Sequence, residues 1–295
     1  MVLESIISAN SVRRHPLFML FLAVLMSTAG IWVSWQFYPA YSSLLSIAFI
    51  TIALTPIMHS FLEYEETIEA KKPGFFMSFI ARHFNLLQAY AWFFLGLIIS
   101  YAFWYAVLPI DVRDNVFAEQ ERTFEQIGKL KEGLSGMASG TGYTACGNNA
   151  ACWFETIFAN NAKVMVLAIV FSFVFGAGAI FLIGWNASII GTVIGKDIIA
   201  LGASYAHYGL FNGVLAFFHG LFNAIGLVPH GIFEACGYFI AAIAGGIIGV
   251  LLTKRHLYKH EFGTITKDAA ILVIIAFALV AIGALIEAQI IAAAF

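Results

Sequence analysis

The chain has 295 residues, 61% of them hydrophobic and 11% charged, with a mean hydropathy of +0.88 and a formal net charge of −2. Soluble domains hold about 25% charged residues and roughly half apolar ones, so this much apolar surface requires a bilayer as solvent. With no basic domain or arm, the charge balance argues against a nucleic-acid partner. The expected fold class is all-α, a polytopic membrane helix bundle.

A crossing helix needs about 20 apolar residues at 1.5 Å each. The first run, 16–38, follows Arg13, Arg14 and His15 and has a weak cleavage-like triplet at Ser27-Thr28-Ala29. It continues apolar through Ile31, Trp32 and Val33, which predicts a retained span rather than a signal peptide. Trp32, Trp35 and Tyr38 read as interface anchors. Spans follow at 42–62 and 84–108. Between them Glu63, Glu65, Glu66 and Glu69 lead to a turn at Pro73-Gly74, then to FFMSFIARHF, which suits the membrane interface.

Residues 110–160 form the largest polar segment, with acids outnumbering bases. Its first half, through Leu130, favours a helix, and GLSGMASGTGY after it reads as loop. Cys146 and Cys152 flank GNNAA near its end. On an outer face, where oxidation is permitted, they are expected to pair as a disulfide, the alternative being two free thiols. Cys236 falls inside a span and reads as a small hydrophobe.

The second half predicts spans at 162–184, 207–228, 229–252 and 269–294. The stretch 185–206 holds Asn186, Ser188, Thr192, Lys196 and Asp197 among glycines. Basic residues in short loops favour the cytoplasmic side, which puts Arg13 and Arg14, then Lys71, Lys72 and Arg82, then Lys254, Arg255, Lys259 and Lys267 inside. That parity leaves 185–206 as a re-entrant or interfacial hairpin marked by Asn186, Lys196 and Asp197. The expectation is about seven spans in the cytoplasmic (cell) membrane, N-terminus inside and C-terminus outside. The regions are then 1–109 (three spans), 110–160 (extracytoplasmic loop), 161–252 (membrane core) and 253–295 (cytoplasmic loop and final span). GxxxG pairs at Gly191/Gly195, Gly209/Gly213 and Gly245/Gly249 allow close helix contact, within the chain or in a homo-oligomer.

Polar groups inside spans are costly and point to function. His219 and Asn223 are four apart, as are His230 and Glu234, so each pair shares a helix face. The topology gathers Asn160, Asn161, Asn223, His230 and Glu234 on the extracytoplasmic side, with His219 as a further member of the cluster. The bland alternatives are a helix cap for His230, N-caps for the asparagines and a bonded interior histidine for His219. Glu287, near the outer end of the last span, is placed to reach headgroups.

From about 158 to 252 the chain resembles the stage II sporulation protein M family. The matching runs are FANNAKVMVL, FGAGAIFLIGWNASIIG and above all PHGIFEACGYFIAAIAGG. The resemblance carries that family's polar positions onto Asn160, Asn161, Asn186, His230, Gly231 and Glu234. It also implies a multi-pass membrane protein similar to a scaffold that recruits cell-wall hydrolases during engulfment. A membrane scaffold or assembly factor in envelope remodelling, binding lipids and protein partners, is thus the first expectation. The second is an intramembrane hydrolase with His230 and Glu234 as catalytic candidates, either glutamate-based or holding Zn through His219, His230 and Glu234. The third is a small-solute or ion transporter or channel, suggested by the broken stretch 185–206.

Overall fold

The computed structural model describes residues 14–69, 76–123, 125, 146–175, 179–204, 214–215, 217–220, 229–253 and 262–293. Its helices are α1 (Phe18–Phe37), α2 (Ser42–Glu69), α3 (Phe76–Val107), α4 (Ile110–Val116), α5 (Ala150–Phe175), α6 (Ala179–Ser204), α7 (Pro229–Thr253) and α8 (Phe262–Ala293). All but α4 contain an apolar window long enough to cross a membrane, seven in all. No strand occurs among the described residues. The chain is a polytopic all-α membrane protein.

Within the spans, hydroxyl groups turn back onto their own helices, which keeps them satisfied away from water. Ser27 donates to the Ala23 carbonyl at 2.7 Å and Thr51 to that of Ile47 at 2.8 Å. The Ser27 and Ser100 hydroxyls also hydrogen-bond across at 2.6 Å, joining α1 to α3.

Close contacts fix the helix directions. α1 and α2 are joined by the short turn Pro39–Tyr41 into an antiparallel hairpin, in which Gly30 meets Ser46 and Ile50. Gly191 and Gly195 of α6 lie on Tyr101 and Tyr105 of α3, so those two helices run parallel. Gly245 and Gly249 of α7 lie on Ile169 and Phe173 of α5, a second parallel pair. Gly283 of α8 faces His230 and Glu234 at the start of α7, which is antiparallel. Both described GxxxG pairs are therefore used inside the chain; Gly209 and Gly213 lie outside the described residues.

Two sub-bundles result. α1, α2, α3 and α6 pack together, as do α5, α7 and α8. The seam between them is closed chiefly by α7, whose Phe239 stacks on Tyr90 and meets Phe94 of α3 edge-on. α5 and α6, consecutive in sequence, touch much less than either touches its own sub-bundle.

The hairpin expected over 185–206 is corrected: Ala179–Ser204 is one continuous helix carrying a span of its own. The polar residues read as breaks are its packing face. Asn186 donates to the Leu182 carbonyl at 2.8 Å, Thr192 to that of Ser188, and Ser188 accepts from Gln120 at 3.1 Å. Lys196 pairs with Glu121 at 2.5 Å. The span expected over 162–184 moves back to Ala150–Phe173. That expected over 207–228 falls mostly outside the described residues; of it, 214–215 and 217–220 are helical. Gly220 packs on Ile198 and Phe217 on Phe103, at the ends of α6 and α3.

The start of the long polar segment is anchored on the bundle. Phe117 is fully buried against Tyr101 and Tyr105. The Tyr105 hydroxyl donates to Glu121, whose other oxygen holds Lys196. Arg113 lies over the Tyr105 ring, 5.1 Å from its centre. The far end of the segment is anchored too. Cys146 and Cys152 form a disulfide with Cα atoms 5.4 Å apart. Asn149 caps α5 by accepting from Ala151 and Cys152 N–H, Gly147 takes a φ of 50° in the turn, and Trp153 donates to its carbonyl at 2.8 Å. Trp153 and Cys146 pack on Ala288 of α8.

Candidate functional site

Helix α7 starts at Pro229, a residue suited to a first turn, which sets His230 and Glu234 one turn apart on the same face. That face turns inward towards α8. Gly283 leaves the space: a Cβ there would lie 2.7 Å from Glu234 Cγ and 3.1 Å from the His230 carbonyl oxygen. One turn further along α8, Glu287 Oε2 lies 3.9 Å from His230 Nε2.

A cleft of about 350 Å³ opens at this point of the seam. Its polar lining is Thr156, Asn160 and Asn161 from α5, Asn186 from α6, Glu234 from α7 and Glu287 from α8. Its walls are apolar and aromatic, with Phe94, Trp153, Ile189, Ile190 and Tyr238 among them. Asn160 and Thr156 are exposed at the mouth, whereas Asn161 is only 7% exposed. Asn161 and Glu234 are close enough to interact, yet Asn161 Nδ2 and Glu234 Oε1 have no hydrogen-bond partner among the described residues. His230 Nδ1 is likewise buried and unpartnered there. A volume of this size, with convergent polar groups in an apolar wall, has the character of a ligand site.

The expected cluster is assembled in part. Asn160, Asn161 and Glu234 line the cleft, and His230 stands behind it through Glu287. His219 does not join them; it is exposed, in the stretch beside the ends of α3 and α6. Asn223 lies outside the described residues. No group of three or more His, Cys, Asp or Glu among the described residues could hold a metal ion, so the zinc set of His219, His230 and Glu234 does not fit. Of the supposed hairpin residues, Asn186 belongs to the cleft and Lys196 to the Glu121 anchor.

Three contributors escaped the sequence reading. Glu287 faces inward instead of reaching for headgroups; its spacing of four from Gly283, a small residue that marks the face packed on α7, was the available signal. Tyr238 extends the Glu234 face by one turn. Glu121 was one acid among many, with nothing local to set it against Lys196, 75 residues on.

A family model described as stage II sporulation protein M matches residues 89–290, a stretch holding every polar residue of the cleft. No curated protein and no solved structure matches the chain.

Proposed function

Since the chain belongs to the stage II sporulation protein M family, we propose that it is an integral membrane scaffold or assembly factor in envelope remodelling. The segment between α4 and α5 is its partner-binding part. The carrying observation is the anchoring of that segment at both feet. Phe117, Gln120 and Glu121 fix its start on α3 and α6, and the Cys146–Cys152 turn fixes its end on α8 through Trp153. A loop held by a rigid frame is a common way to present a binding surface. Basic residues at 254–267 favour the opposite end of α7 and α8 as cytoplasmic, which would put the anchored segment outside the cell membrane.

Two of the rival readings each lose one support, while the glutamate-based reading keeps His230 and Glu234 on one helix face. Transport rested on a broken stretch that is a continuous helix, and zinc hydrolysis on a histidine that lies apart. The test is to replace residues 126–144 with a Gly/Ser linker of equal length in the native host. Photo-crosslinking from Glu125 in the full chain should give a discrete protein adduct, lost on linker replacement with no change in bundle melting. Unchanged envelope function in the linker variant would overturn the proposal.

A further inference from the structure

The cleft at the seam has a chemistry of its own, independent of the scaffold reading. Every helix lining it contributes from, or from the edge of, a membrane-crossing window. Charged groups at such positions are expensive and are kept for a purpose. Two carboxylates, Glu234 and Glu287, face one cleft, and no Lys or Arg is among the described residues lining it. Like charges so placed repel, and a cation between them would let both acids ionise; His230 Nε2 stands behind the cleft, 3.9 Å from Glu287 Oε2. Beside them Asn161, more than nine-tenths buried, turns an unpartnered Nδ2 donor into the same space, next to the unpartnered Glu234 Oε1.

A bound group would thus meet acceptors and a donor side by side. A bare metal ion answers only the acceptors. The geometry points to the head of an amphiphile that carries an ammonium next to an anionic oxygen, that is, a zwitterionic aminophospholipid. Its ammonium sits between Glu234 and Glu287, in a cleft that Tyr238 also lines. A phosphate oxygen accepts from Asn161, with Asn160 at the mouth. Ile189, Ile190 and Phe94 supply the apolar wall along which the chains leave. The same ammonium chemistry is carried by free ethanolamine, but a site walled by span residues is reached more readily from the bilayer than from water.

The full chain is placed in nanodiscs of equal parts phosphatidylethanolamine and phosphatidylglycerol, released into mild detergent, and read by native mass spectrometry. Retention of phosphatidylethanolamine is expected, favoured about ten-fold over phosphatidylglycerol, as charge-assisted hydrogen bonds would give. Glu287→Gln should erase the preference, as should Glu234→Gln. Glu119→Gln, half-buried beside Arg122 and outside the cleft, should keep it. Dodecylammonium, whose –NH3+ can donate to both carboxylates, should displace the lipid when titrated onto wild type, where dodecyltrimethylammonium, of equal chain length and charge but without an N–H, does so far less. That arm needs no variant to fold. Equal retention of both lipids, or a preference untouched by both Gln variants, overturns the assignment. Displacement by millimolar ethanolamine, with a rise in melting temperature, overturns the lipid as occupant. Glutamates with a purely structural role would lower the melting temperature in the Gln variants and leave the retained lipid unchanged.

Discussion

Glu234 owes its position to a residue with no side chain. Because a Cβ at Gly283 would press on Glu234 Cγ, Gly283→Ala should drive the carboxylate off its face and cost roughly 1–3 kcal/mol, as overpacking does. Gly202→Ala is the control, since nothing lies within 4 Å of its added carbon; there the better helix propensity of Ala should leave stability equal or slightly higher. Thermal unfolding in detergent compares the two, and equal losses would show that Glu234 has room to move. The cysteines separate in the same way. Alkylation without reductant, followed by mass spectrometry, should modify Cys236 alone, because Cys146 and Cys152 are bonded to each other.

Between elements, α6 is held by a mixture of small-residue contact and polar pairing. Gly191 and Gly195 admit the α3 tyrosines, while Glu121 and Lys196 tie the helix to the segment after α4. Both charged side chains keep about a third of their surface, 29% and 32%, so solvent screens the pair. A double-mutant cycle of Glu121→Gln and Lys196→Met should give a coupling of about 0.5–1 kcal/mol. Coupling near zero would mean that Phe117 alone secures that foot. Gly191→Leu, by contrast, forces the α3 and α6 backbones apart, and severe destabilisation is the expected result in the same melting assay.

For the molecule as a whole, the alternation of seven long helices makes a definite statement about sides. α5 begins, α8 ends and α7 begins at one end, as the contacts of Trp153 with Ala288 and of His230 with Glu287 require. The end of α7 at Thr253 is therefore at the other. Single cysteines introduced at Asn148 and at Lys254, in a background lacking the native three, should react with a membrane-impermeant maleimide from opposite faces. Labelling of both from outside intact cells would contradict the helix order. The correction to α6 leaves this relation intact: α5 and α7 run parallel, so the end of α7 at Thr253 lies opposite the start of α5, and the basic residues after it favour the cytoplasmic side.

What the sequence determined by itself were the properties that accumulate along a single stretch of chain. Apolar runs of sufficient length declare crossing helices whatever their neighbours, because a backbone in lipid must bond within its own helix. The i, i+4 spacing of His230 and Glu234 and the short Cys146–Cys152 ring were legible for the same local reason, as was the resemblance, whose motifs lie in α5 to α7. The tertiary structure decided everything that depends on a partner far away in sequence. Ser188 and Lys196 look like part of a break until Gln120 and Glu121 are set beside them, and Glu287 looks like a headgroup contact until Gly283 brings α8 against α7. His219 shares the composition of a ligand but is not brought to the cleft. Whether a polar residue in a span disrupts, anchors or lines a site depends on which helix face it meets, and that is fixed by packing, not by the order of residues along one helix.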